Sequence, residues 1–336
     1  MTFGWLRNPG FDLSLTLGTT ALGGLAGLCV FLHPNWLPWV LVLDFWLLGY
    51  HHVVATFTRL VFDKASLAEH RWLVTWLPPL VAIATCALAL GIGTWALIAT
   101  YFYWQAWHYT RQGWGMSRIY RRKEPATALD DRIDAAVLFA VPLAGVVARS
   151  AQGWTRFLGL DIALLPVPAW ASPVALGLAG VTVLAWLVRQ VTLATRGQLG
   201  GAHALYVLTH TLVFAVGYLL VPDFTQGWLV VNVWHNAQYL FIVWMFNVNR
   251  FRGGETPDAP LLSAISQPGA LGRYLFVNLA IATIVFTAIL GLPGVKVMAV
   301  PAVLLFSQAL NFHHYIVDSL VWKVRRPQVR AHLVGG

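Results

Sequence analysis

Long apolar segments recur along the whole chain and are separated by short polar segments. A membrane-spanning helix needs about 20 mostly apolar residues, because the hydrocarbon core is about 30 Å thick and a helix rises about 1.5 Å per residue. The pattern predicts about ten such spans, at residues 12–32, 36–58, 73–92, 94–115, 133–150, 170–188, 203–221, 227–249, 273–292 and 297–320. The predicted fold is an all-α transmembrane helix bundle in which residues 1–336 form a single domain.

The basic residues predict how these spans are oriented. If the N-terminus is cytoplasmic and every predicted span crosses the bilayer, all but three of the 22 Lys and Arg residues fall on the cytoplasmic side. The exceptions are Arg149, Arg156 and Lys296. Cytoplasmic loops of membrane proteins carry such an excess of Lys and Arg. We therefore expect both termini in the cytoplasm and the protein in a cytoplasmic membrane, the bacterial inner membrane.

Composition excludes a soluble protein. Hydrophobic residues make up 58% of the chain and charged residues only 10%, whereas soluble domains carry about 25% charged residues. The net charge of +9 is explained by basic loops that face an anionic leaflet, so we expect no nucleic-acid partner. The two cysteines, Cys29 and Cys86, lie in apolar segments and indicate no disulfide framework.

Histidines are the candidate chemistry of this chain. Of the 11 histidines, His33, His70 and His332 fall in loops or the C-terminal tail. The others lie in or beside five predicted spans, together with Asp44 and Asp318. They are His51, His52, His108, His203, His210, His235, His313 and His314. One intramembrane histidine is explained by a hydrogen bond to a neighbouring helix. So many ionisable groups are costly in a bilayer and usually mark function, so we predict a shared metal or cofactor site.

The depth of each histidine follows from its distance to the nearest basic residue. His52, His210 and the pair His313–His314 lie roughly 10–14 Å inside the cytoplasmic boundary by this measure, and His108, close to Arg111, is shallower. The predicted ligands in this cytoplasmic half are His51, His52, His108, His210, His313 and His314. His235 and Asp44 lie deeper, at about 22 Å.

Spacing along the helices refines this prediction. His314 and Asp318 are four residues apart and share a helix face, so Asp318 is a ligand or the carboxylate that orients a histidine ligand. His203 and His210 are seven residues apart, as are Asp44 and His51, and each pair is expected on one face. His203, His235 and Asp44 form a second tier of candidate ligands.

The ligand types favour iron. Imidazole suits Fe, Zn, Cu and Ni, and the chain has no Cys or Met cluster for soft ions. Histidines with one or two carboxylates in an apolar bundle are typical of oxygen activation at non-haem iron. We expect a membrane lipid or another lipophilic substrate to enter from the bilayer, and an electron donor to act at the cytoplasmic face.

The pairs His51–His52 and His313–His314, with further histidines on other spans, resemble the histidine-cluster membrane oxygenases, which include desaturases, hydroxylases and ketolases. That family uses two non-haem iron ions held mostly by histidine, so the resemblance implies a di-iron oxidoreductase. Its HxxxH and HxxHH boxes do not occur in this sequence. Only the HH dipeptides match, so no individual ligand is transferred from the family.

Two other classes of function stay open at this point. His235 and Tyr239 are four residues apart and, with His51–His52, are similar to the copper-site pattern of haem–copper oxidases, which favours a haem-binding oxidase or cytochrome. Intramembrane histidines also serve as relays in proton or metal-ion transporters. The sequence lacks an HxH pair for two haems, and it lacks the repeat symmetry that many transporters show.

Overall fold

The computed structural model of the protein describes residues 3–124, 127–292, 294–323 and 326–334. These residues are almost entirely helical, which confirms the all-α class. The helices are α1 (Pro9–Leu32), α2 (Pro34–Val61), α3 (Lys64–Glu69), α4 (Arg71–Thr75), α5 (Leu77–Gly91), α6 (Thr94–Arg121), α7 (Ala128–Ser150), α8 (Ala171–Thr195), α9 (Gly201–Leu220), α10 (Phe224–Arg250), α11 (Pro260–Ile265), α12 (Leu271–Leu290), α13 (Ala302–Val321) and α14 (Pro327–Val334).

Two short antiparallel hairpins connect helices that are neighbours in sequence. Strands β1 (Trp154–Phe157) and β2 (Leu160–Ala163) lie between α7 and α8, with Trp154 opposite Ala163. Their two-residue loop has positive φ at Leu158 and Gly159, the geometry that matches the twist of a tight hairpin. Strands β3 (Lys296–Val297) and β4 (Val300–Pro301) lie between α12 and α13.

Six of the described helices, α1, α2, α7, α8, α9 and α12, are long and apolar enough to cross a membrane. They indicate an integral membrane protein. The predicted spans fall mostly on helices, but span 73–92 covers parts of α4 and α5, and span 297–320 begins in the β3–β4 hairpin. Helix α5 has only 15 residues, and α6, α10 and α13 are too polar to qualify by composition. These three polar helices carry half of the eight candidate histidines, and polar residues of this kind lower the hydropathy of the helices that bear them. Ten crossings therefore stay a prediction.

The chain forms two compact units, each of which we describe by itself. The first comprises Met1–Leu37 and Phe102–His235, and the second comprises Pro38–Tyr101 and Asn236–Gly336. Helices α6 and α10 contribute residues to both. In the first unit α7 packs against α8 and α9. In the second unit α2 packs against α12, and α13 packs against α5.

Helix α2 contains a π-helical turn at Phe45–Gly49, directly before His51 and His52. A π turn widens the helix locally and changes the rotation between the residues that flank it, and such turns are frequent at functional sites. The predicted shared face of Asp44 and His51 assumed a regular α-helix between them. The π turn breaks that relation.

Candidate metal centre

Helices α2 and α13 bring two of the predicted ligands into direct contact within the second unit. The Nε2 atoms of His52 and His314 lie 3.2 Å apart, and the two rings meet edge to face. Asp318 follows one turn after His314 on α13, and its Oδ2 lies 3.5 Å from Nε2 of His314. All three side chains are buried. The predicted shared face of His314 and Asp318 is confirmed.

The partner of each Nδ1 atom determines which ring nitrogen carries the proton. Nδ1 of His52 lies 3.3 Å from the carbonyl oxygen of Leu48. A carbonyl oxygen only accepts, so Nδ1 is the donor and the neutral ring has its lone pair on Nε2. Nδ1 of His314 lies 3.3 Å from the hydroxyl of Thr56, a group that can donate or accept.

A network of hydroxyl groups determines which ring nitrogen of His314 carries the proton. The hydroxyl of Tyr239 accepts a hydrogen bond from Nε1 of Trp322 at 2.8 Å and donates to Oδ1 of Asp318 at 2.8 Å. Oγ1 of Thr56 lies 2.6 Å from the Tyr239 oxygen and 3.3 Å from the same carboxylate oxygen. Because Tyr239 gives its own proton to Asp318, the short contact between the two hydroxyl oxygens requires the proton of Thr56, although the His52 carbonyl oxygen also lies 3.4 Å away. The Thr56 oxygen is then left to accept Nδ1–H of His314. In this arrangement the lone pair of His314 is also on Nε2.

The two facing Nε2 atoms therefore present lone pairs to each other. Two lone pairs at 3.2 Å repel unless a cation lies close to both. Ligand atoms with metal bonds of about 2.1 Å stand roughly 3.0–3.5 Å apart around a tetrahedral or octahedral ion. The separations of His314 from His52 and from Asp318 both fall in this interval. His314 thus has a second imidazole and a carboxylate at the distances that ligands of one metal ion show.

The structure gives other contacts to three further candidates of the second unit. Nε2 of His313 donates to the carbonyl oxygen of Leu73 at 2.7 Å, and its ring stacks on Phe57. Nδ1 of His51 lies 3.1 Å from the carbonyl oxygen of Leu47, and its buried Nε2 has no hydrogen-bond partner among the described residues. Oδ1 of Asp44 accepts from Asn236 at 3.3 Å. Adjacent histidines diverge by about 100° around a helix, so only one of each HH pair reaches the centre.

The first unit contains the remaining candidate histidines, and the basic residue used to estimate the depth of His108 lies inside a helix. The rings of His108 and His235 lie 5.1 Å apart between centroids, and Tyr109 stacks on His235. The prediction placed His108 near the surface because it took Arg111 as the boundary of the membrane. Helix α6 continues to Arg121, so His108 lies about 20 Å from the end of the helix.

His203 and His210 both face α6, as their spacing predicts. Nε2 of His203 lies 2.9 Å from Oγ of Ser117 and 3.7 Å from Oδ2 of Asp134. His210 packs against Gly113 and is fully buried, and its ring nitrogens have no hydrogen-bond partner among the described residues. The contact between Asp134 and His203 was not predicted from the sequence, because Asp134 lies at the start of a predicted span, where an acidic side chain is usually solvated.

Two residues of the centre were also missed, Thr56 and the carboxylate-orienting Tyr239. Thr56 follows His52 by four residues, and this spacing was the available signal. Tyr239 was noted only for its spacing from His235. Comparison of the chain with protein-family models, with curated proteins and with solved structures gives no match. The centre is therefore interpreted from its own geometry.

Proposed function

We propose that the protein is an integral membrane metal-dependent oxidoreductase whose non-haem iron is held by His52, His314 and Asp318. The observation that supports this proposal is the pair of facing Nε2 atoms beside a carboxylate. Two histidines and one carboxylate are the donor set of non-haem Fe(II) oxygenases, which leaves coordination positions open. Iron bound there supplies the activation of O₂ for oxidation of a lipophilic substrate.

The surrounding residues hold the three ligands in place. The carbonyl oxygen of Leu48 fixes the tautomer of His52, and Thr56 fixes that of His314. Tyr239 holds one oxygen of Asp318 so that the other is directed at His314. Such outer partners orient metal ligands and tune their basicity. These three ligands hold one ion, and the second iron implied by the resemblance stays a prediction.

The proposal includes a placement in the membrane. Ten crossings with both termini in the cytoplasm put His52, His314 and Asp318 in the cytoplasmic half of the bilayer. An electron donor at the cytoplasmic face can then reach the centre, and a membrane lipid or another lipophilic substrate can enter from the side. The proposed location is a cytoplasmic membrane, which would be the inner membrane in a bacterium.

Metal analysis of the purified protein in detergent tests the centre. We expect about one iron per chain in the wild type and loss of that iron in the variants His52→Ala and His314→Ala. His313→Ala is the matched control, because His313 is the next residue on the same helix and its ring nitrogen contacts Leu73 instead. Equal iron content in the His314→Ala and His313→Ala variants would contradict the proposed ligands.

Spectroscopy separates the other classes of function. Ferrous protein treated with nitric oxide is expected to give the EPR signal of a high-spin non-haem iron nitrosyl. A Soret band in the visible spectrum would instead indicate haem. Absence of metal together with ion flux in liposomes would indicate a transporter, and either result would overturn the oxidoreductase proposal.

A further inference from the structure

A cationic cavity lies beside the candidate metal centre in the second unit. Its volume is about 220 Å³, and its wall includes residues at the ends of α2, α3, α10 and α13 and in the segment that contains α14. The charged and polar lining residues include Thr56, Arg59, Glu69, His70, Arg250, Arg326 and His332. The wall also includes apolar side chains such as Leu60, Val321 and Val329. A mixed lining of this kind suits a group that is charged at one end and apolar at the other.

Two of the three guanidinium groups have carboxylate partners. Arg326 pairs with Glu69, with 2.9 Å between Nη1 and Oε1, and Arg250 pairs with buried Asp63. Arg59 forms no salt bridge with any described residue. The wall of the cavity therefore carries one positive charge that no carboxylate of the described chain pairs with directly.

Arg59 is held in a fixed position and is desolvated. Its side chain is 7% exposed, and its guanidinium carbon lies 4.0 Å from the ring centroid of Phe246 and 3.8 Å from that of Trp322. Nε and Nη1 have no hydrogen-bond partner among the described residues. Buried N–H groups of a cation without acceptors are costly, and a planar guanidinium matches a carboxylate or phosphate with two parallel hydrogen bonds.

Two histidines of the cavity wall indicate that the electrostatic potential there is positive. Burial lowers the pKa of His70 and of His332, and the neighbouring guanidinium groups lower both further. For His70 these are Arg326 and Arg59, opposed by Glu69. Burial and, to a smaller extent, the positive charge around them thus disfavour the protonated form of both imidazoles, and an oxyanion bound there would offset that positive charge.

Thr56 links the cavity to the metal centre. Its side chain lines the cavity, and its hydroxyl contacts His314, Asp318 and Tyr239. Arg59 is three residues later on α2 and therefore on the same face. A ligand whose charged end reaches Arg59 has the adjoining part of its chain next to the centre.

We infer that this cavity binds the phosphate or carboxylate head group of an anionic lipid, the substrate of the oxidoreductase. This inference rests on the proposed function and adds the class of substrate. Pockets for whole drug-sized ligands measure about 300–1,000 Å³, so the cavity has room for a head group and not for an entire lipid. The apolar remainder would lie against the helices and in the bilayer.

Native mass spectrometry of the full chain in detergent tests the inference. The probes are dioleoylphosphatidylglycerol, oleate, dioleoylphosphatidylcholine and inorganic phosphate. We expect the wild type to bind the two anionic lipids and to bind phosphatidylcholine at least about tenfold more weakly. Added phosphate should release the anionic lipid. The Arg59→Gln variant is expected to lose about tenfold or more in affinity for the anionic lipids. Arg252→Gln is the control, because Arg252 is exposed and does not line the cavity.

Arg59→Lys provides a second test should the glutamine variant fold poorly, since it keeps the charge and the aliphatic stem but loses the planar fork. We expect weaker binding of the anionic lipids with unchanged iron content. Equal affinity of wild type and both Arg59 variants, equal affinity for phosphatidylcholine, or binding of phosphate without lipid would each overturn the inference. A protein that binds anionic lipid but no metal would remove the proposed function and leave the head-group site standing.

Discussion

Thr56 and Tyr239 have the greatest influence on the centre among the residues that do not ligate the proposed metal. Thr56 contacts both a ligand histidine and the ligand carboxylate, and Tyr239 donates to that carboxylate. A buried carboxylate that loses a donor is less firmly held in the orientation that a metal ion requires. Removal of one of these hydroxyl groups should therefore lower the metal affinity more than it lowers the stability of the fold.

Substitution Tyr239→Phe tests this role. We expect the affinity for iron to fall about 10- to 100-fold, because loss of an outer partner of a metal ligand has costs of this size. Affinity is measured by competition with a chelator of known strength. Tyr218→Phe is the control, because the buried Tyr218 hydroxyl has no hydrogen-bond partner among the described residues. Unchanged affinity in the Tyr239→Phe variant would show that this hydroxyl does not orient Asp318.

Glu124, which follows α6, predicts a pH dependence of stability in the first unit. Burial raises the pKa of this carboxyl group from 4.5 to about 7, against the opposing effects of Arg121 and the nearby backbone N–H groups of His203 and Gly4, and Asp134 raises it further. The folded protein thus binds a proton that the unfolded chain releases at lower pH. The stability from this group is fully present below pH 4.5 and is lost as pH rises through about 7.

The variant Glu124→Gln carries a permanent neutral amide and isolates this contribution. We expect the melting temperature of the wild type to fall relative to that of the variant between pH 4.5 and pH 7, the interval set by the two pKa values. Thermal unfolding in detergent across this range measures the difference. Glu255→Gln makes the same change at an exposed position, and its difference from wild type should not vary with pH in this way. Parallel curves for the wild type and the Glu124→Gln variant would contradict the prediction.

At the scale of elements, the contact of α6 with α9 depends on one small residue. A Cβ atom at Gly113 would lie 2.3 Å from Cδ2 and Nε2 of His210, which is far closer than atoms can approach. His210 is fully buried and also lies against Phe214 and Trp234, so its ring has little room to retreat. Glycine at this position is what allows a histidine-bearing helix to pack this closely.

The variant Gly113→Ala should therefore be destabilised. We expect a loss of about 1–3 kcal/mol in the free energy of unfolding, the usual cost of forcing an extra methyl group into a packed contact. Gly115→Ala is the matched control, because it lies on the same helix and a Cβ there meets nothing within 4 Å. Denaturant unfolding of both variants in detergent measures the difference. If both variants are equally stable, the contact can relax at little cost.

The sequence predicted the helices well, because an apolar segment of about 20 residues can be recognised from its length and composition, without a periodic pattern. It also predicted that His314 and Asp318 lie on one helix face, since their spacing alone puts them there. It did not separate His52 from His51, or His314 from His313. That choice depends on helix rotation, which the π turn at Phe45–Gly49 and the contact of His313 with Leu73 set in three dimensions. The sequence also did not show that Arg111, the residue from which the depth of His108 was estimated, lies inside α6 and not at its end.

At the scale of the whole molecule, the hairpin of β1 and β2 and the turn after α10 should lie on opposite sides of the membrane. We expect a cysteine at Asp161 to react with a membrane-impermeant thiol reagent in intact cells and a cysteine at Gly253 to react only after lysis. Both positions are exposed in the folded chain, so accessibility reports the side of the membrane and not burial.

These labelling experiments require Cys29 and Cys86 to be replaced by alanine, so that each variant has one thiol. Protection of Asp161→Cys with labelling of Gly253→Cys would reverse the proposed orientation. Labelling of both in intact cells would indicate an even number of crossings between them. Either result would change which compartment supplies electrons to the centre.

Trp322 takes part in both sites of the second unit. Its indole N–H donates to the Tyr239 hydroxyl that orients Asp318, and its ring covers the guanidinium of Arg59. A head group that immobilised Arg59 would therefore also steady the proposed ligand carboxylate. Because linkage is reciprocal, bound iron would then favour lipid binding by the same factor. Protein molecules without lipid would then lose their metal more readily than those with lipid. In a membrane depleted of substrate, the protein would become inactive and would not activate oxygen without a substrate to oxidise.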